Sequence, residues 1–480
     1  MISTTLVAEN KDIVLQKNSL GVTFEELTLK NNEKMGLMGV RYNFENINSY
    51  YYGLSLYGTL TGKRGGFFVG GFHSGYRYFF YDDVALDGDL FVGGGGGGSA
   101  PQGGGLMLRE SLTFLYKHKF GFGYSNITFP NGAIQTQQLF VNYIIPFNSF
   151  YFLSATPSKN ELQKIFATTS KEEIATTYQI YYPIKNTYQT DKTLLTIPLH
   201  LLGISYKTIL EKNLFLTLES AGALGGDSTG YMEVLGGVGI PFEIKNFSAN
   251  LKFLLGSAGG GKVKTDGGAV SKISAEIGYS FFNTKIALGT GYFHSIQNNF
   301  NARIMQLSIA KQFNFVVPDR VKKIDFKKFI TEKYSLHFMN EHYFYNNSIS
   351  SKQNNLDIDL VGMSIDLYLN SFVFLSGKAC GAYRGDAGGY AEGLFGLGIL
   401  SPSLKGFRTL GEIDFGAGGG GSLQTGRGTI FKPQIGVQYS FNKRFSFELM
   451  SGKIISSGKL KTNKLSFGLV YKFYKGLVQE

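Results

Sequence analysis

The sequence predicts an all-β fold: a single large antiparallel transmembrane β-barrel of about 24 strands, built from three internal repeats of about eight strands. The first reason is composition, because the 480 residues include 64 Gly, 42 Phe and 29 Tyr but only 17% charged residues. The second is that no apolar run approaches the ~20 residues that a transmembrane helix needs. Barrel strands instead alternate apolar with polar residues. The third reason is an internal repeat.

Glycine-rich stretches occur three times, and a strand-like segment ending in tyrosine follows each one. The first stretch, GGGGGGSAPQGGG, occupies 93–105, and related stretches lie at 258–268 and 418–428. The three tyrosines have nearly equal spacing along the chain, which a random linker would not preserve. We therefore expect one structural unit that occurs three times. The tyrosines are Tyr116, Tyr279 and Tyr439.

The same register divides the whole chain into repeats and linkers. The start of the chain, TTLVA ending at Ala8, resembles the end of a secretory signal peptide. The predicted segments are 1–18 (N-terminal segment, a possible signal-peptide remnant), 19–147 (repeat 1), 148–173 (linker), 174–313 (repeat 2), 314–332 (basic linker), 333–473 (repeat 3) and 474–480 (C-terminal tail). In repeat 3 the predicted strands are 333–345, 357–369, 371–381, 388–400, 407–420, 427–441, 444–452 and 462–473.

The predicted strands have two chemically different faces. In KISAEIGYSFF (272–282), Ile273 and Ile277 share one face, and Lys272 and Glu276 share the other. A period of two is typical of a β-strand. In a membrane barrel the apolar face meets lipid, whereas in a soluble β-domain it is buried. Alternation alone leaves both architectures open.

The last strand of each repeat ends in an aromatic residue, and tyrosine and phenylalanine cluster at strand ends elsewhere. In this the chain resembles Gram-negative outer-membrane β-barrel proteins of the large, porin-like channel class, without matching a specific family. The resemblance implies location in the bacterial outer membrane, with membrane lipids and lipopolysaccharide as partners. The chain departs from the pattern in the tail that follows Phe473. The residues of the C-terminal strand signal are Leu465, Phe467, Leu469, Tyr471 and Phe473.

The glycine-rich stretches allow two interpretations. Glycine permits sharp turns and close approach of another backbone, so hairpins with bent ends are one expectation. The other is a smooth patch, repeated three times, on which a partner docks. A phosphate-binding loop is not predicted, because no stretch has the required glycine-lysine motif between a strand and a helix. The glycines concerned are Gly95, Gly98, Gly104, Gly259, Gly261, Gly267, Gly418, Gly421 and Gly426.

Arg109, Lys272 and Lys432 occupy the same position in the three repeats. They lie on the polar face of their strands, which in a barrel is the lumen face. One interpretation is a basic belt in the lumen that favours anions, in keeping with the formal net charge of +12. The other is that these cations lie near strand ends and reach lipid headgroups.

No pattern predicts an enzyme, a cofactor or a metal site. Cys380 is the single cysteine, and we expect it to be a small buried residue. His337 and His342 are five residues apart, which places them on opposite faces of a strand. Glu233 and Glu392 are equivalent residues in two repeats, and we expect solvated carboxylates facing the lumen. Basic residues interleaved with aromatics do not predict nucleic-acid binding, because aromatics recur at strand ends throughout.

Two classes of function follow from these expectations. The first is transport through a wide pore or export channel, whose lumen another polypeptide or the glycine-rich hairpins fill. The second is a structural role, as a surface or filament protein of three β-domains or as a membrane anchor for an envelope assembly. A monomer would have pseudo-threefold symmetry. Three separate eight-stranded barrels are the alternative to one large barrel, since the linkers would allow each repeat to close on itself.

Overall fold

The structure, a computed structural model, describes residues 12–46, 49–184, 187–211, 213–297, 299–345 and 356–478. The predicted signal-peptide remnant lies outside these residues. Three groups of eight strands follow one another along the chain. The first group is β1 (Ile13–Thr28), β2 (Lys34–Glu45), β3 (Tyr50–Thr61), β4 (Phe68–Tyr81), β5 (Val84–Gly96), β6 (Leu106–Tyr116), β7 (Phe120–Thr128) and β8 (Gln135–Phe152).

The second and third groups repeat this pattern after short connections. The second is β9 (Ala167–Pro183), β10 (Leu199–Glu211), β11 (Leu214–Gly225), β12 (Met232–Ile244), β13 (Phe247–Gly259), β14 (Ala269–Phe281), β15 (Thr284–Ser295) and β16 (Asn301–Pro318). The third is β17 (Phe329–Tyr343), β18 (Ile358–Tyr368), β19 (Val373–Arg384), β20 (Ala391–Leu400), β21 (Phe407–Gly419), β22 (Thr429–Ser440), β23 (Phe445–Ser456) and β24 (Lys461–Val478).

Helical structure among the described residues is limited to short turns. One helix, α1 (Lys159–Leu162), lies between β8 and β9, with the Ser158 side chain accepting a hydrogen bond from the Glu161 backbone N–H. Single 3-10 turns occupy Lys30–Asn32 and Phe326–Lys328. No helix in the described residues is long and apolar enough to cross a membrane.

Each group of eight strands closes on itself. Within a group every strand pairs antiparallel with the next, and the last strand pairs with the first: β8 with β1, β16 with β9 and β24 with β17. Among the described residues, β-sheet pairing between groups is limited to single residue pairs, Phe315 with Leu477 and Tyr474 with Phe152. The predicted all-β, antiparallel barrel architecture with 24 strands is confirmed. The 24 strands form three eight-stranded barrels, so the prediction of a single closure was wrong.

The physical reason for the small closures lies in the barrel interiors. Eight strands enclose a space that side chains can just fill. Arg109 on β6 reaches Glu25 on β1 across the interior of the first barrel, and both are buried. One 24-stranded lumen would separate such partners and leave charged groups unpaired, whereas closure after eight strands brings them together.

The barrels are longer than the predicted repeats. They begin at Ile13, Ala167 and Phe329, several residues before the predicted starts. Their last strands, β8, β16 and β24, have 18 residues each and continue beyond the predicted ends. The predicted linkers therefore contain strand ends, and the connections themselves are 153–166 and 319–328.

The outer surfaces are apolar and the interiors are polar. On β14, Ile273 and Ile277 are exposed, with Ile277 at 69%, while Lys272 and Glu276 are buried. Other strands of the three barrels alternate in the same way, with large exposed apolar side chains outside and charged or amide side chains in the middle of the interior. A soluble β-domain would bury the apolar face. This inverted arrangement is that of an outer-membrane β-barrel, as predicted.

Candidate functional site

The interior of each barrel contains a buried layer of paired charges, with the three predicted basic residues at its centre. In the first barrel the Arg109 Nε donates to Glu25 Oε1 at 2.9 Å. The guanidinium also lies 4.6 Å from the centre of the Phe140 ring. Arg109 is 0% and Glu25 1% exposed. This cation is therefore neutralised inside the protein and shielded from solvent.

The second barrel repeats the arrangement with a lysine. Lys272 Nζ donates to Glu219 Oε2 at 2.9 Å and to Gln179 Oε1 at 2.7 Å. Lys252 Nζ donates to the other oxygen of Glu219 at 2.6 Å. The adjacent Glu233 accepts a hydrogen bond from the Tyr181 hydroxyl at 2.7 Å. The expectation that Glu233 would be solvated was wrong, because it is 0% exposed.

In the third barrel Lys432 joins two carboxylates. Its Nζ donates to Glu341 Oε2 at 2.6 Å and to Glu392. Lys464 Nζ donates to the second oxygen of Glu341 at 2.7 Å. Like Glu233, Glu392 is buried, not solvated. Cys380, also buried, has its sulfur within 4.8 Å of an oxygen of each carboxylate. The Lys432 ammonium already supplies the positive charge that a metal ion would bring to this group.

Arg109, Lys272 and Lys432 therefore face the barrel interiors, but they lie in three separate interiors and do not form one belt. Each is 0% exposed and bound to a carboxylate. A paired, shielded cation offers no free charge to a passing anion. The alternative that they reach lipid headgroups is also wrong, because they point inward.

An apolar cap closes each interior at the end of the barrel where the glycine-rich hairpins lie, here called the glycine end. In each barrel the cap is a cluster of buried apolar side chains that continues directly from the charged layer. In the first barrel it includes Leu27, Met35, Phe67 and Phe129. The side chains of the charged layer and of the cap are almost completely buried, so both layers occupy the barrel interior. The opposite end, where the chain passes between barrels, is here called the linker end.

The glycine-rich hairpins join the barrels in a ring. In each case the hairpin between the fifth and sixth strands of one barrel lies against the turn between the third and fourth strands of a neighbour. The second barrel contacts the first through Gly65 N–H and Asp266 O, at 2.5 Å. The first contacts the third through Gln102 Nε2 and Gly388 O, at 2.9 Å. The third contacts the second through Thr229 Oγ1 and Gly426 O, at 2.6 Å.

Glycine is required where these backbones meet. A Cβ on Gly66 would lie 2.2 Å from Gly260 N, and one on Gly230 would lie 2.9 Å from Gly420 N. The glycines also have positive φ, for example +85° at Gly66, where side chains are disfavoured. The repeated glycines thus permit backbone-to-backbone contact between barrels.

The predicted glycines divide between two roles. Gly104, Gly259 and Gly267 face the neighbouring barrel, and the carbonyls of Gly95 and Gly426 accept hydrogen bonds from it. The remaining four lie against their own barrel. They are Gly98, Gly261, Gly418 and Gly421.

Arg64 ties three turns of the first barrel together at the glycine end. Its guanidinium donates to both carboxylate oxygens of Glu33, at 2.7 and 2.8 Å, and to Ser99 O at 2.6 Å. The hydrogen bond and positive charge of Arg64 hold the pKa of the Glu33 carboxyl below its usual value. The turns after β1, β3 and β5 are thereby fixed relative to one another.

At the linker end the long last strands of the barrels meet. Phe473 is buried there, its ring 5.3 Å from Tyr151 of the first barrel and 5.7 Å from Tyr334. Leu465 and Phe467 are exposed on the outer surface, and Leu469 and Tyr471 are half-buried. The aromatic residue that was expected to end the barrel instead packs between barrels, because β24 continues to Val478.

Sequence reasoning missed the acceptors of the three cations. In each barrel the terminal Phe of the repeat pairs with a residue of the first strand, and the acceptor lies seven residues after that residue. The acceptors at this equivalent position in β1, β9 and β17 are Glu25, Gln179 and Glu341. Each accepts a hydrogen bond from the cation of its own barrel. An alignment of the leading strands of the repeats would have identified this acceptor position.

No protein-family model matches the sequence, and no curated protein matches it. Among solved structures the chain is similar to OccK5 (OpdH) of Pseudomonas aeruginosa, with 9% identity, a TM-score of 0.21, and 96% of this chain and 98% of that chain covered. A mutant of the ferric enterobactin receptor PfeA of Pseudomonas aeruginosa, in complex with enterobactin, has 10% identity, a TM-score of 0.27, and coverages of 95% and 81%. The NanC porin has 5% identity, a TM-score of 0.18, and coverages of 62% and 98%.

Proposed function

We propose that this chain is a structural protein of the bacterial outer membrane, a platform of three fused barrels that anchors an envelope assembly. The observation that carries the proposal is the filled interior of each barrel. Buried ion pairs such as Lys432 with Glu341 lie directly beneath a continuous apolar cap. A porin needs an aqueous channel, which barrels of 16–18 strands have and eight-stranded barrels do not.

The fusion of three barrels supports an anchoring role over transport. The barrels contact each other at both ends, through glycine backbones at one end and aromatic side chains at the other. Contacts at two levels along an axis restrain both tilt and separation of the barrels. Such a platform fixes the relative positions of three membrane-embedded bodies, which is a useful property for holding a partner at its rim.

The partners in this proposal are membrane lipids, lipopolysaccharide and a polypeptide at the rim. The apolar outer strands face lipid tails, and exposed tyrosines at the strand ends, such as Tyr50, Tyr76 and Tyr81, suit the headgroup level. Because the interiors are filled, we place no polypeptide inside a barrel. The role is non-enzymatic and requires no cofactor.

Single-channel recording in a planar bilayer tests the proposal. We expect purified protein to insert without discrete conductance steps, because ions would have to cross the apolar cap and the paired charges. Flotation with lipid vesicles and protection from added protease establish that the protein has inserted.

Large steps with anion selectivity would contradict the proposal. The sharpest contrary result would be selectivity that weakens in the triple variant Arg109→Gln, Lys272→Gln, Lys432→Gln. That outcome would mean that the three cations line a conducting path and that the chain is a pore.

A further inference from the structure

The linker-end mouth of the third barrel contains three cations that lack the pairing found elsewhere in the barrels. Lys333 on β17, Arg408 on β21 and Lys472 on β24 share the inward-facing positions of their strands. All three side chains are half-buried. They therefore lie inside the barrel wall but within reach of solvent at its mouth.

None of these three cations forms a hydrogen bond or ion pair with a carboxylate among the described residues. Lys472 Nζ donates to the Ser440 hydroxyl at 2.9 Å. Lys333 Nζ lies 3.7 Å from the centre of the Tyr368 ring. These contacts hold the ammonium groups in place and leave their charge uncompensated. A half-buried cation without a counter-charge is unfavourable.

The carboxylates nearest to the mouth are already engaged. Asp366 Oδ2 lies 2.7 Å from His337 Nε2 and accepts from Ser335 at 3.0 Å. Glu448 Oε2 lies 3.6 Å from His337 Nδ1 and accepts from Gln438 at 3.1 Å. His337 and neighbouring side chains thus hold both carboxylates, and neither forms an ion pair with the three cations.

In the other two barrels, the cations Lys171 and Arg77 near the same mouth have carboxylate partners. Lys171 of the second barrel is equivalent to Lys333, because each pairs with the residue that follows the repeat's terminal Phe. Lys171 forms an ion pair with Glu243 at 2.8 Å. In the first barrel Arg77 contacts Glu45 at 2.8 Å and Asp87 at 2.7 Å. The uncompensated cluster belongs to the third barrel alone among the described parts of the three mouths.

The three cations act on one another. Lys472 pairs with Ser335, two residues from Lys333 along β17. Its Nζ reaches Ser440 on β22, two residues beyond Gln438, which pairs with Arg408. The three like charges therefore lie in one part of the mouth and repel one another. A bound anion would relieve this repulsion. The mouth also offers a hydroxyl, since Ser440 Oγ lies 2.9 Å from Lys472 Nζ.

We propose that the linker-end mouth of the third barrel is a binding site for a phosphate group, held by Lys333, Arg408 and Lys472. A planar guanidinium binds two phosphate oxygens at once, and two ammonium groups supply additional donors. Two sources supply a phosphate group near this mouth, which lies close to the membrane surface. They are free phosphate in the aqueous compartment and the headgroup of a phospholipid. The site does not depend on whether the barrels conduct.

Isothermal titration calorimetry of the full chain in phospholipid-free detergent provides the test. The probes are inorganic phosphate and a short-chain phosphatidic acid. We expect saturable binding and a decrease of at least about tenfold in affinity for Arg408→Gln, because the variant loses charge-assisted hydrogen bonds to the anion. The triple variant Lys333→Gln, Arg408→Gln, Lys472→Gln should lose binding.

Lys443→Gln is the matched control, because Lys443 is an exposed cation in the β22–β23 turn at the same end of the barrel. It should bind like the unaltered protein. If inorganic phosphate binds and phosphatidic acid does not, the ligand is a free anion. If phosphatidic acid binds more tightly than phosphate and the triple variant loses this binding, the ligand is a phospholipid headgroup. Failure of both probes to bind, or binding that survives in the triple variant, would overturn the proposal. Heat-modified migration in gels confirms that each variant is folded.

Discussion

At the scale of single residues, the central feature is a cation of the sixth strand bound to an acceptor of the first. Arg109, Lys272 and Lys432 all follow this rule, although their acceptors are Glu25, Gln179 and Glu341. The pair closes the barrel from inside, because the sixth and first strands are not neighbours in the sheet. The pair matters for folding stability because it is buried, and an unpaired charge in a buried position lowers the free energy of unfolding.

We therefore expect Arg109→Met to destabilise the protein strongly. The change leaves the Glu25 carboxylate buried without its cation, which should cost about 3–5 kcal/mol. Adding Glu25→Gln should recover part of the loss, since a neutral amide can still hydrogen-bond with Ser125 and Gln138. Denaturant unfolding in detergent measures both variants.

An exposed ion pair is the matched control for that prediction. Lys171 and Glu243 have side chains exposed to 40% and 43%. Lys171→Met should cost less than about 1 kcal/mol, because water screens an exposed pair. Equal losses for Arg109→Met and Lys171→Met would show that burial does not decide the strength of these contacts.

At the scale of elements, the glycine-rich hairpins decide how barrels meet. The tip of each hairpin packs against its own barrel, and the side of the hairpin packs against a neighbouring barrel. Gly267 illustrates the second contact, since a Cβ there would lie 2.7 Å from Leu60 O of the first barrel. No positive φ is involved at this residue, so a substitution would test contact between barrels and not backbone strain.

Gly267→Ala should lower the thermal stability of the three-barrel unit. The added methyl group must displace the first barrel's backbone, and overpacking of this kind costs about 1–3 kcal/mol. Thermal unfolding followed by circular dichroism measures the change. Gly236→Ala is the control, because no atom lies within 4 Å of a Cβ there. If the two variants have the same midpoint, the hairpin contact does not stabilise the assembly.

At the scale of the whole molecule, three closed sheets share one chain. Every barrel pairs its own edges, so no strand is shared, and the connections at 153–166 and 319–328 carry no part of a barrel wall. The barrels are held to each other by contacts at both ends. Side chains of the connections, such as Leu162 and Ile324, also pack into the apolar cluster at the linker end.

Cutting the first connection should leave the molecule assembled. A protease site inserted between Thr156 and Pro157 should be cleaved without release of the first barrel, because the glycine-end and linker-end contacts remain. Native mass spectrometry in detergent should give the mass of the intact 52.9 kDa chain, plus the inserted residues and the water added by hydrolysis. Denatured samples should show two fragments. Dissociation of the first barrel under native conditions would mean that the connection, not the contacts, holds the barrels together.

The repeat and the alternation determined most of the strands. All eight strands predicted in the third repeat overlap an observed strand, from 333–345 against Phe329–Tyr343 to 462–473 against Lys461–Val478. Local chemistry explains this success, because a period of two and glycine at turns are properties of neighbouring residues. The inward direction of Arg109, Lys272 and Lys432 follows from the same alternation.

The closure of the barrels and the partners inside them were decided only by the tertiary structure. A last strand such as β8 can pair with its own first strand, β1, or with the first strand of the next repeat, β9, and both options satisfy the same alternation and linker length. What selects between them is whether interior side chains far apart in sequence, such as Arg109 and Glu25, meet across a small interior. Strands, faces and repeats could therefore be predicted, because they depend on the local order of residues along the chain. Three closed barrels joined through glycine backbones arise from contacts between distant residues, and only the folded chain brings those residues together.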